Sequence, residues 1–392
     1  MESSRVGAGA KAMRRHNLAL VMNLIARSAP VSRVEVAERA GLTKATVSAL
    51  VTELISAELV RDLGPAPGRA PGRPAGRLVL DPYGPVAMGL QFGADFAAAA
   101  LLDLSGRPLA RHVRRFDVAA VPAAEGARAA RPVLRRLFEE ATLAGRLVAG
   151  IGITVGGTVS PGPRGRPVVT WAPALRWRDV DVIGLVSAQL RELDLHGLDV
   201  RLAGEVACAA LAEYQAGAAG DWLYLGGEDV IGLAPLNPDL TLAGDLGHVP
   251  VRRRGEPCPC GNRGCLDRYA GRAAMAAAAG LAGPGPSRLL GNEDAVTGLI
   301  RRGDPAAHRA RDAAADALAD ALVPVRALLA PDTVVLGGRL GAFGEPLRRR
   351  VQDRLPGLVL RQAKLGADAA LHGAAGSVIA RVIADPLTWI DG

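Results

Sequence analysis

Aromatic residues are nearly missing from this 392-residue chain: four Trp, four Tyr and five Phe amount to 3% of it. A chain of this length buries ample core, so that core must be packed mainly from Ala, Val and Leu. Cysteine is scarce too, at four, which argues against a disulfide-stapled extracellular scaffold. No apolar run reaches the ~18 residues that suggest a membrane helix. The N-terminal stretch MESSRVGAGAKAMRRHN lacks the apolar segment of a secretory signal. The expectation is a cytoplasmic protein of two or three domains with no membrane partner.

The few cysteines are not scattered. Cys258, Cys260 and Cys265 fall within eight residues, and His248 lies ten positions before the first of them. Thiolates and imidazole are zinc ligands, and four of them close a tetrahedron with no position left for a catalytic water. Pro259 limits how far Cys258 and Cys260 can swing apart. Gly261 and Gly264 allow the turn that brings Cys265 to the same point. A Cys258–Cys260 disulfide would need a strained, very short loop. The reading is a closed, structural Zn²⁺ site made by His248, Cys258, Cys260 and Cys265. Cys208, alone in an Ala-rich segment, reads as a small core residue.

Charge is as unevenly spread as cysteine. The net charge is +8. Residues 1–80 hold 12 Lys and Arg against 6 Asp and Glu, a net of +6, which leaves +2 for the other 312 residues. That is the footprint of a polyanion partner on a small N-terminal module. Residues 1–13 show no apolar period and are expected to fray. Helical spacing runs from Asn17 to Pro30, then a capping box pairs Ser32 with Glu35, and Gly41 stops the second helix. Thr43 caps a third helix, whose apolar positions are Val47, Leu50, Val51 and Leu54. Helix, tight turn and helix is the arrangement that seats a recognition helix in the major groove of DNA. The residues expected to meet DNA are Thr43, Lys44, Ala45, Thr46 and Ser48. The Gly/Pro/Arg stretch that follows reads as a wing carrying Arg69, Arg73 and Arg77, suited to a narrow minor groove. The plainer alternative is a three-helix protein-interaction module.

Downstream, the sequence from Val86 reads as three strands joined by turns, then a helix over 123–144 and a buried strand, VAGIGITVGG, with glycines at its carboxyl end. A loop and a helix cover TWAPALRWRDVDVIGLVSAQLREL, and LDVRLAG forms another strand. GEVACAALAEYQ is a helix, and DWLYLGGEDVIGLAPL opens a second strand-turn-strand unit that echoes the first. Ala-rich helices follow, read as packing surfaces, and Arg348 to Arg350 as a solvated face.

The chain resembles the ROK family, which contains sugar-responsive bacterial repressors and sugar kinases. The resemblance is carried by SRVEVAERAGLTKATVSALVTELI with GRP, and above all by GDLGH followed by CPCGNRGCLD. It implies an α/β fold: a winged helix-turn-helix at residues 1–82, then two actin-like lobes of the ribonuclease-H type. The first lobe spans 83–200 and regains a C-terminal helix at about 375–392. The second spans 201–374 and holds the metal site. The family's metal ligands carry over to His248, Cys258, Cys260 and Cys265.

Its catalytic elements carry over less well. The family's first phosphate loop, Asp-x-Gly-Gly-Thr, is matched by Gln91-Phe92-Gly93-Ala94-Asp95, where an acid at Asp95 would repel phosphate. Glu228 and Asp229 stand in the second loop, which also looks several residues short, although DTVVLGGRLG keeps the adenosine motif. No kinase activity is expected. The family's sugar contacts correspond to Glu205, Asp245, His248 and Asp267, with an Asn replaced by Gly204 and another by Ala174. Two readings stay open there: a pocket remodelled for a different sugar, and a pocket that has lost its ligand. The expected function is a transcriptional regulator, a repressor, which binds operator DNA as a homodimer or homotetramer, is nucleoid-associated when DNA-bound and is a candidate carbohydrate sensor. The alternatives are an active sugar kinase and a regulator controlled by a protein partner without sugar.

Overall fold

A computed structural model describes residues 2–64, 76–217, 222–228, 230–236, 244–281 and 295–391, with side chains undescribed at 2–10 and 164. Three helices open the chain: α1 (Glu2–Ser28), α2 (Arg33–Ala40) and α3 (Lys44–Ser56). The capping signals act as the sequence suggests. Ser32 Oγ accepts from Glu35 N while Glu35 accepts from Ser32 N at 2.8 Å. Gly41 takes the left-handed conformation, φ 66°, that ends α2. Strands β1 (Val60–Asp62) and β2 (Leu78–Leu80) pair antiparallel at the base of the wing. Arg69 and Arg73 lie outside the described residues.

One expectation fails here. Residues 2–13 are helical, since α1 starts at Glu2. The contacts made near the middle of α1 are tertiary and leave no apolar period to read. Arg14 pairs with Glu53 on α3, and Lys11 and Arg14 each approach Asp391 at 3.9 Å.

The first lobe comprises β3 (Val86–Gly93), β4 (Phe96–Asp103), β5 (Pro108–Arg115), α4 (Ala123–Leu143), β6 (Val148–Val155), β7 (Thr158–Pro161), β8 (Pro167–Ala172), β9 (Trp177–Val180), α5 (Val182–Arg191) and β10 (Asp199–Gly204). Its sheet has the order β10-β6-β3-β4-β5. Strands β3, β4 and β5 run antiparallel, and β6 and β10 run parallel to β3. The stretch expected to be a loop before α5 instead contributes β8 and β9 to a three-stranded sheet, β7-β8-β9. Its strands are too short to show a period, but Gly162, Pro163 and Gly165 mark the turn between β7 and β8.

The second lobe holds α6 (Glu205–Gln215), β11 (Trp222–Gly226), β12 (Gly232–Pro235), α7 (Asp267–Ala270), α8 (Arg272–Ala278), α9 (Ala295–Arg301), α10 (Pro305–Leu329), β13 (Thr333–Leu336), α11 (Gly338–Ala342), α12 (Gly344–Arg354) and β14 (Val359–Gln362). Its sheet order, β12-β11-β13-β14 among the described residues, repeats β4-β3-β6-β10 in both order and strand sense. The chain ends in α13 (Ala369–Ala384) and α14 (Pro386–Ile390), so the terminal helix begins earlier than the expected 375.

Helix α13 lies against the first-lobe sheet at backbone distance. A Cβ on Gly89 would sit 2.3 Å from Leu371 O, and one on Gly152 would sit 1.8 Å from Ala374 O. On its other side Gly373 presses on Cys208 O, where a Cβ would come within 1.7 Å. The N-terminal helices do not keep a core of their own. Leu18, Val21, Met22 and Ile25 share one apolar cluster with Ala98 and Ala100 of β4 and with Leu371, Ala375, Ile379 and Leu387 of the terminal helices.

Candidate functional site

Helix α3 buries Val47, Leu50, Val51 and Leu54 and leaves Thr43, Lys44, Ala45 and Ser48 exposed, with Thr46 half-buried. Thr43 Oγ1 accepts from Thr46 N at 3.1 Å and lies 2.8 Å from Thr46 Oγ1. The start of the helix is thus fixed by its own hydroxyls, while a small, singly charged face points outward. Arg77 is half-buried, its Nε 3.5 Å from Gly64 O at the root of the wing.

The four expected metal ligands converge. The ligand atoms of His248, Cys258, Cys260 and Cys265 lie within 4.8 Å of one another. Cys258 Sγ is 3.4 Å from His248 Nδ1, and Cys260 Sγ is 3.6 Å from Cys265 Sγ. The loop that gathers them is knotted by its backbone. Cys258 N donates to Asn262 O at 2.9 Å, and Gly264 N donates to Glu256 O at 2.8 Å. Gly264 has φ +71°, and a Cβ there would meet Arg252 O at 1.7 Å, so only glycine fits. Burial and the neighbouring thiols push the Cys265 thiol up to about 12. Three adjacent thiols resist joint ionisation unless a cation compensates them, and this donor set suits a soft or borderline metal ion.

His248 also faces the other way. Its Nε2 is 3.5 Å from Asp245 Oδ2, and its ring lies 4.7 Å from that of Trp171 in the first lobe. Burial raises the Asp245 carboxyl above the usual carboxylate range, against the opposing pull of His248. A carboxylate on the free nitrogen of a metal-binding histidine sets the ring's tautomer and direction.

Asp245 also borders the cleft. A cavity of about 350 Å³ lies between the lobes, lined by Thr158, Ser160, Gly204, Glu205, Val230 and Asp245 among others. Glu205, 2% exposed, begins α6 and accepts from Glu228 N at 2.7 Å; Gln91 Nε2 lies 3.4 Å from the same oxygen. Glu205 and Asp245 thus share the cavity. Asp267 does not line it. It borders a much smaller space, about 10 Å³, with Gly227, Glu228, Arg272 and Arg339. Both aspartates approach Gly247, whose Cβ would lie 3.0 Å from Asp267 Oδ1 and 3.1 Å from Asp245 Oδ1.

Beside Arg272 and Arg339 the acids Asp95 and Glu228 of the two phosphate-loop stretches have protein partners. Asp95 takes both prongs of Arg272, Oδ1 from NH1 at 2.9 Å and Oδ2 from NH2 at 2.7 Å. Arg339 donates to Glu228 O, and its guanidinium is 4.0 Å from Glu228 Oε2. Arg272, Arg339 and Trp171 are site residues that sequence reasoning missed. The arginines stand among many others. The Gly/Pro turn before Trp171 was the one available signal.

The profile of the ROK family matches residues 87–381. This chain belongs to the ROK family. Its ROK relatives include regulators and enzymes. The xylose repressor of Bacillus subtilis is 24% identical over 268 residues, 66% of this chain and 66% of the repressor. The kanosamine kinase of Amycolatopsis mediterranei is 32% identical over 243 residues, 57% of this chain and 75% of the kinase. In three dimensions the ROK chain is similar to a crystallised ROK family transcriptional regulator, a homologue of the E. coli MLC protein. That match has a TM-score of 0.70 at 21% identity and covers 97% of this chain and 100% of the other.

Proposed function

We propose that this ROK chain is a DNA-binding transcriptional repressor that senses a carbohydrate and has no kinase activity. The observation that carries the proposal is the capped helix α3, with its apolar side buried and Thr43, Lys44, Ala45 and Ser48 turned to solvent. Side chains this short let a helix approach base edges, and Lys44 supplies a phosphate contact. Thr46, and Arg69, Arg73 and Arg77 of the wing, complete the proposed surface. The similarity to a xylose repressor and the +6 charge of residues 1–80 point the same way. Reading two half-sites calls for a symmetric homo-oligomer, and a working place in the cytoplasm, on the nucleoid, follows from the DNA partner.

Residues 1–82 serve as the DNA-binding unit, 83–200 with the terminal helix as the first lobe and 201–374 as the second. In the second lobe His248, Cys258, Cys260 and Cys265 would hold Zn²⁺. Such an ion fixes the loop bearing Asp245 and supplies no chemistry of its own to a substrate, since protein ligands fill its coordination. Glu205 and Asp245 are the proposed hydroxyl acceptors in the cavity, with His248 and Asp267 behind them as positioning groups. Gln91 in place of a metal-side acid, and Asp95 and Glu228 facing Arg272 and Arg339, argue against phosphoryl transfer, which depends on positioned cations around the phosphates.

The test is fluorescence anisotropy of the full chain on genomic promoter fragments, with D-xylose, D-glucose and N-acetylglucosamine titrated into the complex. The expected result is salt-sensitive binding that one sugar class releases. Binding to no fragment at low salt would refute the proposal, and so would sugar-stimulated ATP hydrolysis above that of a Glu205→Ala control.

A further inference from the structure

Asp95 and Arg272 belong to different lobes. Asp95 sits in the turn between β3 and β4 of the first, and Arg272 is the first residue of α8 in the second. Their side chains are 6% and 14% exposed, and the pairing is bidentate at 2.7 and 2.9 Å. Two parallel charge-assisted bonds fix both distance and orientation, which a single contact does not. Neither end is on a free loop. Phe116 N donates to Asp95 O at 3.1 Å, and Val118 N and Ala119 N donate to Ala94 O at 2.9 and 3.2 Å, so the turn is braced against its own lobe. On the far side α8 is locked into the second-lobe core through Met275, 0% exposed.

A second bond runs the same way. Gln91, four residues before Asp95 on the first-lobe side, reaches Glu205 at the lobe junction, and Glu205 accepts from Glu228 N in the second lobe. Beside Arg272 the second lobe encloses only about 10 Å³, whereas the cavity beside Glu205, lined from both lobes, keeps about 350 Å³. Among the described residues, one end of the cleft carries the protein's own paired charges and the other carries a cavity.

We propose that the Asp95–Arg272 pair is a latch between the lobes, which holds them closed without a nucleotide and so preforms the cavity at Glu205 and Asp245. In an enzyme that closes on polyphosphate, the ligand's charge draws the lobes together. Here a carboxylate from one lobe supplies that charge to an arginine of the other. The latch rests on the reading that no nucleotide enters this end of the cleft. Its consequence is that this pair, with the Gln91–Glu205 contact beside it, helps to set the lobe angle.

The test is hydrogen exchange by mass spectrometry on the full-length protein, free of DNA, sugar and nucleotide, for wild type, Asp95→Asn, Arg272→Gln and the double variant. Peptides covering 157–161, 202–207 and 244–247 are expected to exchange about tenfold faster in either single variant, with peptides over Leu18–Ile25 unchanged. The double variant should show no more than the larger single effect, because one interaction is lost only once. If a single variant fails to fold, the double, which buries no unpaired charge, carries the test. Cleft peptides that exchange as in wild type in the folded variants, or single effects that simply add, would overturn the latch. Since no DNA, sugar or nucleotide is present, a failed latch and a failed functional reading give different results.

Discussion

Arg15, on the first helix, donates through Nε to Oδ1 of Asp385 at 2.8 Å, a contact between residues 370 positions apart. Its NH2 also reaches Thr388 Oγ1 at 3.2 Å, and Thr388 Oγ1 is 2.8 Å from Asp385 Oδ2. One residue on, Trp389 Nε1 donates at 3.4 Å to the carbonyl oxygen of Ala57, the residue that caps the end of α3. The end of the chain is thereby fastened to the helix proposed to read DNA.

The Arg15 guanidinium beside Asp385 holds its carboxyl down to about 2, with Thr388 and Arg381 assisting. A carboxyl depressed in the folded state stabilises it fully above the ordinary Asp value of 3.8 and loses that contribution as pH falls towards 2. Asp385→Asn should therefore lower the melting temperature at pH 7 and flatten its decline between pH 4 and 2. Equal slopes for wild type and variant by calorimetry would count against the assignment.

Lys44→Ala is expected to weaken binding to every DNA fragment alike and to reduce the slope of log K against log salt by about one, as loss of one phosphate contact does. Ala45→Lys, on the same exposed turn, should change the ranking of fragments instead. Anisotropy titrations at several salt concentrations separate the two outcomes.

Elemental analysis of the purified chain should find about one zinc per chain, as a four-ligand structural site requires. Cys260→Ser should lower that content and the melting temperature together, and prolonged chelation should do the same to wild type. Cys208→Ser lies outside the cluster and should leave the zinc content alone.

Gly152→Ala should cost about 1–3 kcal/mol or more, because the added methyl would sit 1.8 Å from Ala374 O and force α13 off the sheet. Gly244→Ala is the control: among the described residues nothing lies within 4 Å of its Cβ, and its φ is outside the left-handed region. Its effect on urea unfolding should stay within about 0.5 kcal/mol.

What was legible in the sequence was whatever rests on local chemistry. The Ser32–Glu35 box, the Gly41 stop and the Thr43 cap are decided within one turn of helix, and all three form as read. The gathering of His248, Cys258, Cys260 and Cys265 follows from short spacing and glycine turns. Contacts between distant segments left no trace. Arg14 and Arg15 give no sign in the sequence that Glu53 and Asp385 would be their partners. The end of β8 and all of β9 are short and show no clean alternation, so the stretch from Thr170 reads as a loop in the sequence. Asp267 was placed with Asp245 because family motifs put both in one site, yet only Asp245 borders the larger cavity.

The shared core of the first and last helices bears on how the protein is made. Leu18, Met22 and Ile25 find their neighbours Leu371, Ile379 and Leu387 only after the whole stretch between them has been synthesised. A nascent chain carries helices α1 to α3 early, but it lacks the surface that steadies them until α13 and α14 emerge. Copies interrupted before α13 should therefore hold the proposed reading helix poorly, and DNA binding should track molecules that have passed that point.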